Sequence, residues 1–182
     1  DVLFEFHQRL SAVLKEVAAE YEIIFVNDGS TDNSLDELRH LKSQHPGVTI
    51  VDLSRNFGKE VAMAAGLDHA DGEAVVVIDA DLQDPPELIE KMIKVWQSGY
   101  DVVYAQRMSR SGESAVKRTT ALLFYRIIQR LSRVHIPKDA GDFRLLSRRA
   151  VDALTSLREQ HRFMKGLFAW IGYPQKAVLY HR

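Results

Sequence analysis

The sequence contains no cysteine, so neither a disulfide nor a thiolate metal site can form, and a bridge-free chain suits a reducing cytosol. No stretch approaches the roughly 18 apolar residues that a membrane-spanning helix needs. The seven histidines show no HExxH pairing, and there is no G-x-S-x-G elbow and no complete G-x-G-x-x-G. Gly58-Lys59 has the Gly-Lys of a phosphate loop but lacks its upstream glycine and following Ser or Thr, which argues against a Walker-type nucleotide hydrolase. An excess of charge of one sign is missing too. A net charge of −1 gives no general argument for a nucleic-acid partner. What remains is ordinary globular composition, 46% hydrophobic and 27% charged over 182 residues, enough for a single domain with a substantial core.

The most informative segment is DADLQDPPE, residues 79–87. It follows the β-branched run Ala74–Ile78, which reads as a buried central strand. If extended backbone persists past that run, Asp79 and Asp81 project to the same side at the strand's C-terminal end. Two such carboxylates suit a hard divalent cation, Mg²⁺ or Mn²⁺, that keeps room for substrate phosphates. Pro85-Pro86 then ends the extended segment and Glu87-Leu88 opens a helix. Taken alone, the Asp-x-Asp reads more readily as a strand-end turn whose acids merely cap that helix, and the rest of the chain has to overturn that reading.

Strand and helix patterns alternate along the chain. A helical stripe from Leu3 to Val17 is followed by a β-rich run at 22–26, a helix at 34–44, a strand at 48–53 and an alanine-rich helix at 58–70. After the 74–78 strand come a helix at 87–98, a strand at 101–105, a long helix at about 114–133, shorter elements at 143–146, 149–157 and 163–171, and an extended tail. The alternation predicts an α/β fold, a mostly parallel sheet with helices on both faces, whose ligands sit at the carboxyl ends of the strands. Two further loops reach that edge. In Asn27–Asp32, Gly29 allows a tight turn and Ser30, Thr31 and Asp32 are plausible helix caps, whereas Asp28 precedes the turn and could accept hydrogen bonds from a base or ribose. Ser54–Lys59 places Arg55 and Lys59 at the same edge, although taken alone it reads more readily as a solvated loop.

Between Glu113 and Asp139 there is no acidic residue, while Lys117, Arg118, Arg126, Arg130, Arg133 and Lys138 are interleaved with Leu122, Leu123, Ile127, Ile128 and Leu131. Such a basic amphipathic helix either packs on the sheet with a solvated face or lies against an anionic surface.

In order, NDGSTD (27–32), SRNFGKE (54–60), DADLQDPPE (79–87), Gln106-Arg107, Lys117-Arg118 and DAGDFRLLSRR (139–149) resemble glycosyltransferase family 2. Within it they resemble the polyisoprenyl-phosphate branch of dolichol-phosphate mannose synthases and GtrB-like bactoprenol glucosyltransferases. Residues 160–170 resemble the GtrB-like group most. The resemblance implies a GT-A nucleotide-sugar-binding fold over 1–182, with a first strand and C-terminal transmembrane helices lying beyond these residues. It implies metal-dependent, inverting transfer of a sugar from a nucleotide-diphosphate donor to undecaprenyl phosphate at the cytoplasmic face of the plasma membrane. Glucose from UDP-glucose, as in O-antigen modification of lipopolysaccharide, is the favoured case; UDP-N-acetylglucosamine, GDP-mannose and an aminoarabinose donor stay open, as does homo-oligomerisation.

By the same resemblance, Asp81, Gln83 and Asp79 belong to the metal, and Asp28, Gly29, Ser30, Lys59 and Asp79 to the nucleotide. Arg107 and Arg118 belong to the acceptor phosphate. Asp142 is the available base should the acceptor be a sugar; a phosphate acceptor needs no proton removed, and Asp142 then either orients neighbouring cations or is a turn residue before Phe143. Two alternatives stand beside this. A processive polysaccharide synthase shares the fold, but Glu159–Phe163 only partly imitates its Gln-x-x-Arg-Trp motif. A non-catalytic nucleotide-sugar-binding module is the other.

Overall fold

The computed structural model describes residues 2–18, 20–108, 140–157 and 163–180. The expected basic helix at 114–133, Arg118 with it, lies outside them, as do Gln160, His161 and Arg162. Among the described residues the order is α1 (Val2–Val17), β1 (Ile23–Asn27), α2 (Ser34–Gln44), β2 (Val48–Asp52), α3 (Lys59–His69), β3 (Ala74–Val77), α4 (Leu88–Gln97), β4 (Val102–Arg107), β5 (Ala140–Ser147), α5 (Arg148–Ser156), α6 (Met164–Trp170) and β6 (Gln175–Tyr180).

β1 and β2 pair in parallel, and a four-stranded sheet runs in the order β3-β5-β4-β6. β4 and β6 are parallel, but β5 enters antiparallel to both β3 and β4. The α/β layering is as expected, while the mostly parallel sheet is corrected to a mixed one. Residue pattern could not reveal this, because an apolar run such as Phe143–Leu146 carries no direction. The β5 insertion also places β3 at the margin of its sheet, half-buried along its length rather than buried and central.

Packing follows the two-residue period of the strands. Val103, Ala105, Phe143 and Leu145 turn to one face under Ile89 and Met92 of α4, and Phe6 and Leu10 of α1 extend the same core, Phe6 meeting the Phe25 ring of β1 edge-on. Val102 and Leu146 turn to the other, under Met63 and Leu67 of α3, Val151 and Leu154 of α5 and Phe168 of α6. α4 buries Leu88, Ile89 and Met92, one stripe at helical spacing. Arg9 of α1 pairs with Glu87 at 3.0 Å, an exposed contact worth about 0–1 kcal/mol, so the apolar stripe holds these helices together.

Two features bear on the site. Strand pairing stops at Val77, and the chain turns at Ala80-Asp81 with Leu82 at φ 59°. Asp81 therefore lies in a turn, past the pleat that would set it on one side with Asp79. In β4–β5 the register slips between Tyr104 and Gln106, where Tyr104 faces Arg144 but Gln106 faces Ala140. This bulge lifts Gly141-Asp142 out of the ladder beside the C-terminal ends of β3 and β4, a placement typical of functional sites.

Candidate active site

The carboxyl lip is built from the β1–α2 and β2–α3 loops, the turn after β3, the end of β4 and the start of β5. Its first layer is a loop-to-loop staple. Asp28 accepts from the backbone N–H groups of Phe57 (2.7 Å) and Gly58 (2.9 Å). Asn27, buried at the end of β1, donates to Asp52 at 2.8 Å and accepts from the Ser30 N–H at 3.2 Å. Gly29 has φ +66°, and a Cβ there would stand 2.4 Å from Arg55 C and Asn56 N, so only glycine lets the loops close. The capping expected of Ser30, Thr31 and Asp32 is not made: the N-cap of α2 is Asn33, without a side-chain capping bond, and Asp32 instead accepts from the Ser34 N–H at 3.0 Å in a turn that leads into the helix. Asp28, Gly29 and Ser30 thus shape the lip through backbone contacts.

The second layer is a charge cluster. Lys59 Nζ lies 2.6 Å from Asp79 Oδ2 and 2.7 Å from Asp142 Oδ2, and Lys165 of α6 lies 3.6 Å from Asp142 Oδ1. Three residues distant in sequence meet at one ammonium. Burial alone would lower the Lys59 pKa, but its bonds to Asp142 and Asp79 outweigh this and raise it. Burial would likewise raise Asp142, yet Lys59, Lys165 and Arg144 hold it below the usual carboxylate range. Asp142 is therefore a weak base.

Arg144 was not singled out by sequence. It is 3% exposed, stacks its guanidinium 3.7 Å from the Phe168 ring centroid, and donates to the carbonyls of Gly141 (2.7 Å) and Asp142 (3.3 Å). Burial pushes its pKa down to about 10. Arg144 thus clamps the bulge that carries Asp142. Glu60, next to Lys59, accepts from the Met164 N–H at 2.7 Å and ties α6 to α3. Lys165 lies within the quoted 160–170 stretch and Glu60 within SRNFGKE, but nothing local to either announces its partner.

Asp81 is exposed and accepts from the Gln83 N–H at 2.9 Å, which sets the turn. With Asp79 and the Gln83 amide it supplies hard oxygen donors, and Asp79 already holds a cation in Lys59. Among the described residues no three His, Cys, Asp or Glu side chains converge to enclose a metal. This donor set fits a divalent cation that shares its coordination with substrate phosphates.

Arg107 sits apart from the Lys59 contacts. Its Nε donates to Tyr180 Oη at 2.8 Å and its Nη2 to Asp84 Oδ1 at 3.0 Å, while Tyr180 Oη donates to Asp84 at 2.5 Å. Asp84 and Tyr180 are buried, and Arg107 is partly exposed at the end of β4. The end of DADLQD thereby holds an arginine at the lip, a role for Asp84 that the motif did not reveal.

Comparison with known proteins places these features in a family. The chain is 52% identical, over its whole length, to 57% of an uncharacterized glycosyltransferase of Synechocystis. It is 45% identical, over 90% of its length, to 53% of a bactoprenol glucosyl transferase of Shigella phage SfV. It spans about half the length of these curated relatives. Among solved structures, the mannosyltransferase PcManGT of Pyrobaculum calidifontis, in complex with GDP-Man and Mn²⁺, superposes with a TM-score of 0.62 at 20% identity, covering 96% of this chain and 51% of that one. The S. aureus TarS 1–349 structure gives 0.59 at 13% identity, covering 97% and 55%. Both share the GT-A-like glycosyltransferase fold. The model of glycosyl transferase family 2 matches residues 5–155, and the chain belongs to that family.

Proposed function

We propose that this chain is the catalytic domain of an inverting glycosyltransferase that moves glucose from UDP-glucose to undecaprenyl phosphate at the cytoplasmic face of the membrane. The observation that carries the reading is the meeting of Lys59, Asp79 and Asp142 at the carboxyl lip, in a chain 45% identical to a bactoprenol glucosyl transferase.

The chemistry is charge management. A divalent cation, when bound by Asp79, Asp81 and Gln83, supplies charge neutralisation for the leaving diphosphate. Lys59 adds a positive charge beside it, and the staple formed by Asp28, Gly29 and Ser30 shapes the nucleotide's side of the lip. Arg107, oriented by Asp84 and Tyr180, meets the acceptor phosphate; Arg118, outside the described residues, has the same role by resemblance. A phosphate monoester has its second pKa near 6 and is largely dianionic at neutral pH. Its oxygen attacks C1 of the sugar, the C1–O bond to the diphosphate breaks, and no proton has to be removed. The depressed pKa of Asp142 supports this, because a carboxylate gripped by Lys59 and Lys165 is poorly suited to deprotonate a hydroxyl acceptor. Asp142 instead holds cations in place.

The test supplies the full-length protein with undecaprenyl phosphate and a panel of labelled UDP-glucose, UDP-N-acetylglucosamine, GDP-mannose and UDP-aminoarabinose. Transfer from UDP-glucose to give a β-linked lipid product by NMR supports the reading. An α-linked product refutes inversion, and preference for another donor refutes the sugar.

A further inference from the structure

Lys59 begins α3, its side chain half exposed, and bridges carboxylates borne by two different stretches of chain, 2.6 Å from Asp79 and 2.7 Å from Asp142. These two acids are not equivalent. Asp142 has Lys165 at 3.6 Å on its other oxygen and the Arg144 guanidinium nearby, so it stays neutralised if Lys59 departs. Among the described residues, the ion-pair partner of Asp79 is Lys59. A Mg²⁺-sized cation coordinates carboxylate oxygen at about 2.1 Å, which on the oxygen that Lys59 holds would bring a double positive charge within roughly 5 Å of the ammonium. Asp79 therefore serves one cation well and two poorly.

We propose that Lys59 is a resident counter-ion that competes with the divalent cation for Asp79 and transfers its ammonium to the donor diphosphate when the cation binds. This rests on the assignment of Asp79 to the metal. Lys59 has two roles in this scheme: without donor it holds the acidic lip together and weakens cation binding, and with donor it adds a positive charge to the phosphates. The long flexible lysine stem allows that swing, and the Lys165–Asp142 contact stays behind as the fixed half of the cluster. Cation and nucleotide binding become reciprocally coupled through one side chain.

The test uses the full-length protein, wild type, Lys59→Met and Lys165→Met, each checked for fold by far-UV circular dichroism. Mn²⁺ binding is measured without nucleotide by the EPR signal of the free ion. UDP and GDP binding are then measured in saturating Mn²⁺, reading whichever nucleotide binds the wild type more tightly. Lys59→Met is expected to bind Mn²⁺ about fivefold tighter, a change of ~1 kcal/mol, because an exposed competing pair of this strength is removed. The same variant is expected to bind the nucleotide about fivefold more weakly, the opposite sign, while Lys165→Met changes Mn²⁺ affinity less than about twofold. Lys59→Gln should repeat the sign reversal if methionine perturbs the fold. Mn²⁺ affinity no tighter in Lys59→Met, equal tightening in Lys165→Met, or nucleotide affinity unchanged would each overturn the competition. Absence of Mn²⁺ binding in all three proteins would overturn it together with the metal assignment. A sign reversal in a protein that transfers no sugar would leave it standing and defeat the glycosyl-transfer proposal alone.

Discussion

Gly29→Ala is the sharpest perturbation of the lip that leaves every charged group in place. The added methyl would stand 2.4 Å from the backbone of Arg55 and Asn56 and 2.8 Å from Arg55 Cα. These are backbone atoms, so no side chain can rotate away, and the β2–α3 loop must retreat by about 1 Å to restore ordinary contact. An L-residue at φ +66° adds about 1–2 kcal/mol of strain. The retreat also stretches the two bonds from Phe57 and Gly58 to the Asp28 carboxylate, and bonds of that charged kind are worth about 1.5–3 kcal/mol when intact. Allowing for partial exposure, the expected loss is about 3 kcal/mol, or roughly 6–12 °C in Tm for a chain this size. Lys59 follows directly after the displaced segment, so UDP binding in Mn²⁺ should weaken at least about tenfold, which is roughly 1.4 kcal/mol. Thermal denaturation followed by circular dichroism, with calorimetric UDP titration, reads both effects. Gly47→Ala is the control, since a Cβ there meets nothing within 4 Å, and it should stay within about 0.5 kcal/mol of wild type. If Gly29→Ala behaves like Gly47→Ala, the two loops are not locked as described.

Asp81→Asn should abolish sugar transfer yet shift stability by less than about 0.5 kcal/mol, because the side chain is exposed; full activity in the variant, or in EDTA, would remove Asp81 from the metal site. The pKa of Asp142 is lowered in the folded state, so its stabilising contribution is complete above the usual Asp range near 4 and disappears as pH falls through the depressed value. Lys59, raised on folding, contributes fully below its ordinary value of 10.5 and loses that contribution as pH rises through the raised one. Asp142→Asn should flatten both limbs of a pH–stability curve while changing mid-range stability modestly, and two unaltered limbs would contradict the cluster. Transfer rate against pH should follow acceptor-phosphate ionisation near 6, and a separate protein base revealed by loss of that profile in Asp142→Asn would contradict the base-free route. Tyr180→Phe should cost about 1–2 kcal/mol and raise KM for the lipid acceptor more than for the donor, as Arg107 loses one of its two anchors; an unchanged acceptor KM would detach Arg107 from the phosphate.

Much of this site was legible because its residues sit in local patterns. The 34–44 helix, the 48–52 strand and the alanine-rich α3 follow from periodicity and β-branching, each within a residue or two. Strand direction was not legible, since Phe143–Leu146 reads the same either way, and β5 therefore entered unannounced between β3 and β4. That insertion matters for the site, because an antiparallel β5 begins where β3 and β4 end and so delivers Asp142 to Lys59. Extrapolating strand geometry to Asp81 failed for a local reason: the Asp81–Gln83 turn and the positive φ of Leu82 re-aim the motif. Asp84, Tyr180, Glu60, Arg144 and Lys165 were invisible as a group because their partners lie between 23 and 104 residues away or on a backbone bulge. A buried arginine stacked on Phe168 leaves no trace in composition; only the fold puts the two together.

The central proposal is that this lip transfers glucose to a lipid phosphate in a cation-dependent reaction. The most direct measurement is the movement of label from UDP-[¹⁴C]glucose into the organic phase when the full-length protein is mixed with undecaprenyl phosphate, with Mn²⁺ and with EDTA. The proposal predicts organic-phase label that requires both the lipid and the cation and that disappears in Asp81→Asn. Label released only as free glucose, incorporated into a water-soluble polymer, or transferred equally well in EDTA would contradict it.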